Sequence, residues 1–166
     1  MNNKDKVFIK IKGLYTGTMT EAYETSQEGG EDETLVAAEE DAVEVINVGT
    51  YSVMNGKEYI RYEEVYDDSQ ERSLNMIKIY DNCVEVSKKG AVTTKMLFQP
   101  GNKTMTFYHT PYGGMSLGIT TKQLEIERTE STIDIYLVYG MELNYEHLSD
   151  CDMQITITTE NLRIEE

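Results

Sequence analysis

From residue 43 onward, apolar and polar side chains alternate with a period of two, and turn-forming residues interrupt the alternation roughly every 8 to 15 residues. Residues 45 to 53 (VINVGTYSV) and 58 to 66 (EYIRYEEVY) flank Met54-Asn55-Gly56-Lys57. Asn-Gly is a strong hairpin signal because both residues tolerate a positive φ. Leu74 to Tyr80 alternates, Asp81-Asn82 turns the chain, and Val84-Glu85-Val86 starts the return. Lys89-Gly90 and Pro100-Gly101-Asn102 bracket a strand at 93 to 98, and 103 to 108 runs back as the next hairpin. Further strands are expected over 123 to 130, 133 to 145 and 153 to 158, the last continuing through Leu162-Arg163-Ile164. The strand 133 to 145 carries apolar residues on both faces and is expected to be central. Val7 to Lys12 forms the first strand, most economically paired with the last.

Nine or ten short antiparallel strands without a long amphipathic helix leave an up-and-down β-barrel or a sandwich. The barrel is favoured: closure removes edge strands, and sequential hairpins build it without Greek-key crossings. The length of 166 residues suits one such domain spanning 1–166.

Composition narrows the partners. The formal net charge of -15 argues against nucleic acid and against an anionic membrane surface. Position sharpens the point, because Gly13 to Gly56 contains ten acids and no Lys or Arg. Within it, about 18 to 42 reads as an acidic loop with one helical turn available at Thr34 to Glu40. It lacks the EF-hand spacing, so a solvated loop is expected rather than a calcium site. Two cysteines, Cys83 and Cys151, without a CxxC spacing suit a reducing, cytoplasmic setting.

The run VINVGTYSVMNGKEYIRYEE, the Gly90 turn followed by Met96-Leu97-Phe98, then Tyr108-His109-Thr110-Pro111-Tyr112-Gly113 and finally Ile133-Asp134-Ile135-Tyr136-Leu137-Val138-Tyr139 occur in an order that resembles the YwiB-like family of small bacterial proteins. The resemblance covers about Val7 to Ile164, apart from a longer acidic insertion. It implies a calycin, lipocalin-like barrel of about eight to ten strands, and it brings no catalytic residue. Trp is absent, so the tryptophan of true lipocalins has no counterpart and lipid carriage is not implied.

Two stretches carry candidate chemistry. Phe107 to Gly114 joins Tyr108, His109 and Tyr112 to Pro111 and paired glycines, which could shape the mouth of a barrel with hydrogen-bonding rings or simply a structural corner. Gly114 to Gly118 lacks the Lys-Ser or Lys-Thr of a phosphate loop and reads as loop. In Tyr59 to Glu64, Arg61 and Glu63 share one face of a strand. If that face pointed inward the pair would anchor a ligand, and if outward it would make cross-strand ion pairs. His109 and His147 have no zinc spacing, and no nucleophile-base-orienter set, cofactor fingerprint or metal site is present in the pattern. The expected function is therefore a non-catalytic barrel that binds a small molecule through Arg61, Glu63, Tyr108, His109 and Tyr112. The alternative is a protein-interaction domain using its outer surface and acidic loop, and an enzyme is the least supported reading.

Overall fold

The computed structural model describes residues 1–16, 42–65, 72–90 and 93–162. The acidic loop and its expected helical turn therefore lie outside the described residues, apart from Ala42, which opens the second strand. Ten antiparallel strands follow in chain order: β1 (Lys6–Thr16), β2 (Ala42–Met54), β3 (Lys57–Val65), β4 (Arg72–Tyr80), β5 (Cys83–Lys89), β6 (Thr94–Phe98), β7 (Lys103–Thr110), β8 (Gly113–Arg128), β9 (Thr132–Leu143) and β10 (Glu146–Thr158). They form one sheet in the order β6-β5-β4-β3-β2-β1-β10-β9-β8-β7, curled into a nearly closed barrel.

The first strand pairs with the last, Ile9 opposite Ile157, and also with β2, Ile9 opposite Asn47. The expected hairpins at Asn55-Gly56 and Asp81-Asn82 form with positive φ at both residues, 53° and 75° in the first and 45° and 57° in the second. Their twist matches that of the flanking strands.

Three expectations differ. Residues 93 to 98 and 103 to 108 are neighbours without a regular ladder: Thr93 and His109 exchange two backbone hydrogen bonds of 3.0 Å, and the Thr104 hydroxyl donates to the Leu97 carbonyl at 2.7 Å. The turn between them is bonded elsewhere, since Gly101 N donates to Thr121 O and Thr121 N donates to Asn102 O. β6 and β7 therefore form the seam of the barrel. Gly114 to Gly118, expected as loop, lies inside β8. The long strand from 133 ends at Leu143, because Asn144 and Tyr145 take positive φ and turn the chain directly into β10, which begins seven residues earlier than expected and stops at Thr158.

Because successive side chains alternate between faces, the register sorts the whole barrel. Ile133, Ile135, Leu137, Tyr139 and Met141 of β9 point inward against Ile157, Ile155, Met153, Cys151 and Ser149 of β10, all buried. Asp134, Tyr136, Val138 and Glu142 face outward and are only half-buried, so β9 is apolar mainly on its inner face. Phe98 meets Tyr139 edge-on, ring centroids 4.7 Å apart, so the seam is filled across the interior by aromatic packing. Gly49 takes an inward position opposite Val7 and Tyr62. A methyl group there would stand 2.3 Å from the Arg61 carbonyl oxygen and 2.8 Å from Ile9 Cδ1. Backbone cannot yield as a flexible side chain does, so Gly49→Ala should lower stability by about 1 to 3 kcal/mol. Gly114→Ala meets only the His109 ring, at 3.7 Å, and should leave the urea midpoint nearly unchanged. Equal midpoints for the two variants would refute this account of β2.

Candidate functional site

Call the upper end of the barrel the one where β1 finishes and β2 begins, and the lower end the one nearest Met1. Both ends place polar side chains on the inner face, with opposite outcomes. At the lower end, Glu58 has the inward parity of Ile60, and Arg128 that of Ile126. Arg128 grips Glu58 with two bonds, Nη1 to Oε2 at 2.7 Å and Nη2 to Oε1 at 2.5 Å, while the Tyr51 hydroxyl donates to Glu58 Oε2 at 2.7 Å. Burial alone would raise the Glu58 pKa, yet the bonds from Arg128 and Tyr51 outweigh it and hold the carboxyl below its usual value. Burial, and then the bond to Glu58, push the Tyr51 hydroxyl up, so it stays a donor. A groove of about 360 Å³ opens beside this trio, lined by residues including Ile79, Tyr80, Asp81 and Ile126.

At the upper end the inward positions are occupied by Asn47, Tyr62, Glu64, Ser73, Asn75, Lys88 and Thr94. Asn75 stands opposite Tyr62 on one side and Lys88 on the other, and Lys88 stands opposite Thr94. The Thr93–His109 bridge sets Thr94 beside Tyr108 across the seam. Lys88 Nζ lies 3.2 Å from Glu64 Oε2, which leaves the ring without net charge from this pair. Burial, and then the negative Glu64, keep the Tyr62 hydroxyl protonated by raising its pKa.

Four other members of the ring carry buried polar atoms that no described residue pairs. Asn75 is 4% exposed and Ser73 1%, and neither Asn75 Oδ1, Asn75 Nδ2 nor Ser73 Oγ has a hydrogen-bond partner. Asn47 Nδ2 and Thr94 Oγ1 are likewise buried and unpaired. Each such group costs about 1 to 3 kcal/mol when left unmet. At the lower end the inward Glu58, Arg128 and Tyr51 spend their polar groups on one another. The upper end presents donors and acceptors that need a partner.

The residues singled out from the sequence scatter. Tyr108 points inward at the upper end, half-buried against the core. His109 points outward, its ring 6.0 Å from that of the exposed Phe107. Tyr112 sits in the two-residue turn between β7 and β8, 92% exposed. Arg61 and Glu63 lie on the outer face, Arg61 5.0 Å above the Tyr59 ring and Glu63 3.7 Å from Arg72. Of the five, only Tyr108 joins the ring. Glu64 lies in the charged stretch Tyr59 to Glu64, with Tyr62 on the face opposite Arg61 and Glu63, whereas Ser73, Asn75, Lys88 and Asn47 carry no signal in the sequence beyond the parity of buried neighbours. Ser73 and Asn75, for instance, precede Ile77 and Ile79 at steps of two.

Burial pushes the thiols of Cys83 and Cys151 up, and both cysteines are free and buried. His147 lies 3.7 Å from Asp150, on the strand after β9.

Fold and site thus define a ten-stranded antiparallel β-barrel, nearly closed, with an apolar waist and two unlike polar ends. The chain belongs to the family described as a domain of unknown function, DUF1934, whose model matches residues 25–155. It is 28% identical over 117 residues to the uncharacterized beta-barrel protein YwiB of Bacillus subtilis (strain 168), covering 70% of this chain and 81% of that one. The crystal structure of the ywiB protein from Bacillus subtilis matches with a TM-score of 0.72 at 22% identity, over 97% of this chain and 96% of the other. The fold is therefore shared, in a family of β-barrel proteins of unknown function.

Glu58 titrates below its ordinary 4.5 in the folded barrel, so the unfolded chain takes up its proton first as the pH falls. The stability it contributes is present above about 4.5 and is lost below. The difference in urea midpoint between the parent and Glu58→Gln should be largest at neutral pH and shrink as acid is added. A gap that widens on acidification would contradict the pairing.

Proposed function

We propose that the barrel is a non-catalytic binding protein for a small polar molecule held at its upper end. The observation that carries this reading is Asn75, buried with both its amide oxygen and its amide nitrogen unpaired. Folded proteins seldom leave such a group unmet, and the remedy is either ordered water or a ligand. Asn75 offers one acceptor and a donor pair, Asn47 adds a donor, and the Ser73 and Thr94 hydroxyls serve as either. A matching ligand carries both a carbonyl or hydroxyl acceptor and an N–H or O–H donor. The mutual pairing of Lys88 with Glu64 favours a neutral or zwitterionic molecule over a strongly charged one. The apolar waist below the ring, with Ile77, Val84 and Phe98 buried, favours a molecule that stays at the mouth and does not thread the barrel. This keeps the expectation drawn from barrel size, that a barrel of eight or more strands can hold one small ligand. Free cysteines fit a reducing, cytoplasmic setting.

The test compares protein as purified with protein unfolded in denaturant, dialysed and refolded. A retained ligand stabilises the native state by mass action, so the purified form should melt higher and show a defined extra mass in native mass spectrometry. Asn75→Leu should erase both differences. Its refolded form should be as stable as the refolded parent or more so, because replacing an unpaired buried amide by an apolar group removes a desolvation cost. Identical melting of purified and refolded parent, with no extra mass, would overturn the proposal in favour of buried water.

A further inference from the structure

The outer face of β3 and β4 carries a feature that the polar ring does not explain. Lys57, Tyr59 and Arg61 alternate along β3, and Lys78 stands directly opposite Tyr59 on β4. Lys57 Nζ lies 5.2 Å from the centroid of the Tyr80 ring, Lys78 Nζ 4.8 Å from Tyr80 and 5.6 Å from Tyr59, and Arg61 Cζ 5.0 Å from Tyr59. Three cations and two rings thus interleave in one outward ladder.

Of the other eleven described lysines and arginines, Lys4, Lys6, Lys12 and Lys89 have no carboxylate within 4 Å among the described residues, and seven have one within 3.7 Å, Lys95 with Glu85 and Arg72 with Glu63 among them. Those two pairs border the ladder and use up its nearest acids. Glu85 stands opposite Lys78 in the register, yet it lies 3.1 Å from Lys95 and 3.4 Å from the Tyr80 hydroxyl. Lys57, Arg61 and Lys78 pair with no carboxylate among the described residues, and the rings hold the cationic heads in place.

We propose that this ladder docks an extended acidic polypeptide segment of a partner protein. From Lys57 to Arg61 the strand advances about 14 Å, with Lys78 between them, so the cations recur at steps of about 7 Å. Alternate side chains of an extended peptide recur at the same step, and carboxylates at every second residue would meet all three. A single-stranded nucleic acid fits less well, since base stacking needs open ring faces and both rings are already covered by cations. Its denser charge would also meet the overall -15 of the chain.

Fluorescence anisotropy with a labelled Thr-Glu repeat peptide, at low ionic strength and with the full chain, tests this. The parent should bind, and Arg61→Glu combined with Lys78→Glu should weaken binding at least about tenfold, because each reversal turns attraction into repulsion. Both positions face outward, and an unchanged urea midpoint would verify folding. Lys122→Glu, on β8, alters net charge equally per site and should leave binding nearly as it was. No binding by the parent, equal loss in Lys122→Glu, or tighter binding of an oligothymidylate of equal charge than of the peptide would each overturn the proposal.

Discussion

The antiparallel pairing of β1 with β10 on one side and β2 on the other joins the two ends of the chain into one continuous sheet, and every inward or outward assignment follows from it. Side chains on a strand repeat every two residues, so a slip of one residue in that pairing would turn Val7 and Ile9 to solvent and Phe8 and Lys10 to the core. The central register makes the interior apolar along β9 and β10, and hairpin turns carry the same parity around to β3 through β5. The seam between β6 and β7 absorbs what is left over. It is held by one backbone bridge, by the Thr104 hydroxyl and by the packing of Phe98 on Tyr139.

The same parity that buries isoleucine at the waist buries polar groups at the ends. At the lower end they satisfy one another, since a carboxylate with two oxygens can accept from both arms of Arg128 and from the Tyr51 hydroxyl. At the upper end Lys88 and Glu64 pair, but asparagine amides and hydroxyls stand in the ring without partners. Closing the barrel therefore creates one end whose inward polar groups pair with one another and one that, among the described residues, keeps unpaired donors and acceptors. The exterior follows different physics, with charges in water paired or stacked on rings at little energetic cost. The ladder of Lys57, Lys78 and Arg61 accordingly contributes little to stability.

Much of the fold was legible in the residues. Period two marked the strands, and Asn55-Gly56 and Asp81-Asn82 marked tight turns because their conformation is chemically restricted. Residues 113 to 122 escaped because three glycines depress strand propensity, although at Gly118 the sheet needs the space: a methyl there would stand 3.1 Å from Met105 Sδ. Asn144-Tyr145 escaped because tyrosine rarely adopts the φ of 70° it takes there. The site was less legible for a different reason. Ser73, Asn75 and Lys88 are unremarkable polar residues until the inward face is known, and only their shared parity with Ile77, Val84 and Val86 signals burial. Arg61 and Glu63 showed the opposite ambiguity, a charged pair whose meaning depended on which face closed inward.

The account rests on the claim that the upper ring is half of a binding site, and electron density at that ring tests it most directly. A crystal of protein purified without unfolding, at a resolution that separates water from a larger molecule, should show connected multi-atom density within hydrogen-bonding distance of the Asn75 amide and of the Ser73 or Thr94 hydroxyl. Isolated waters saturating those same atoms, with nothing else in the ring, would contradict it.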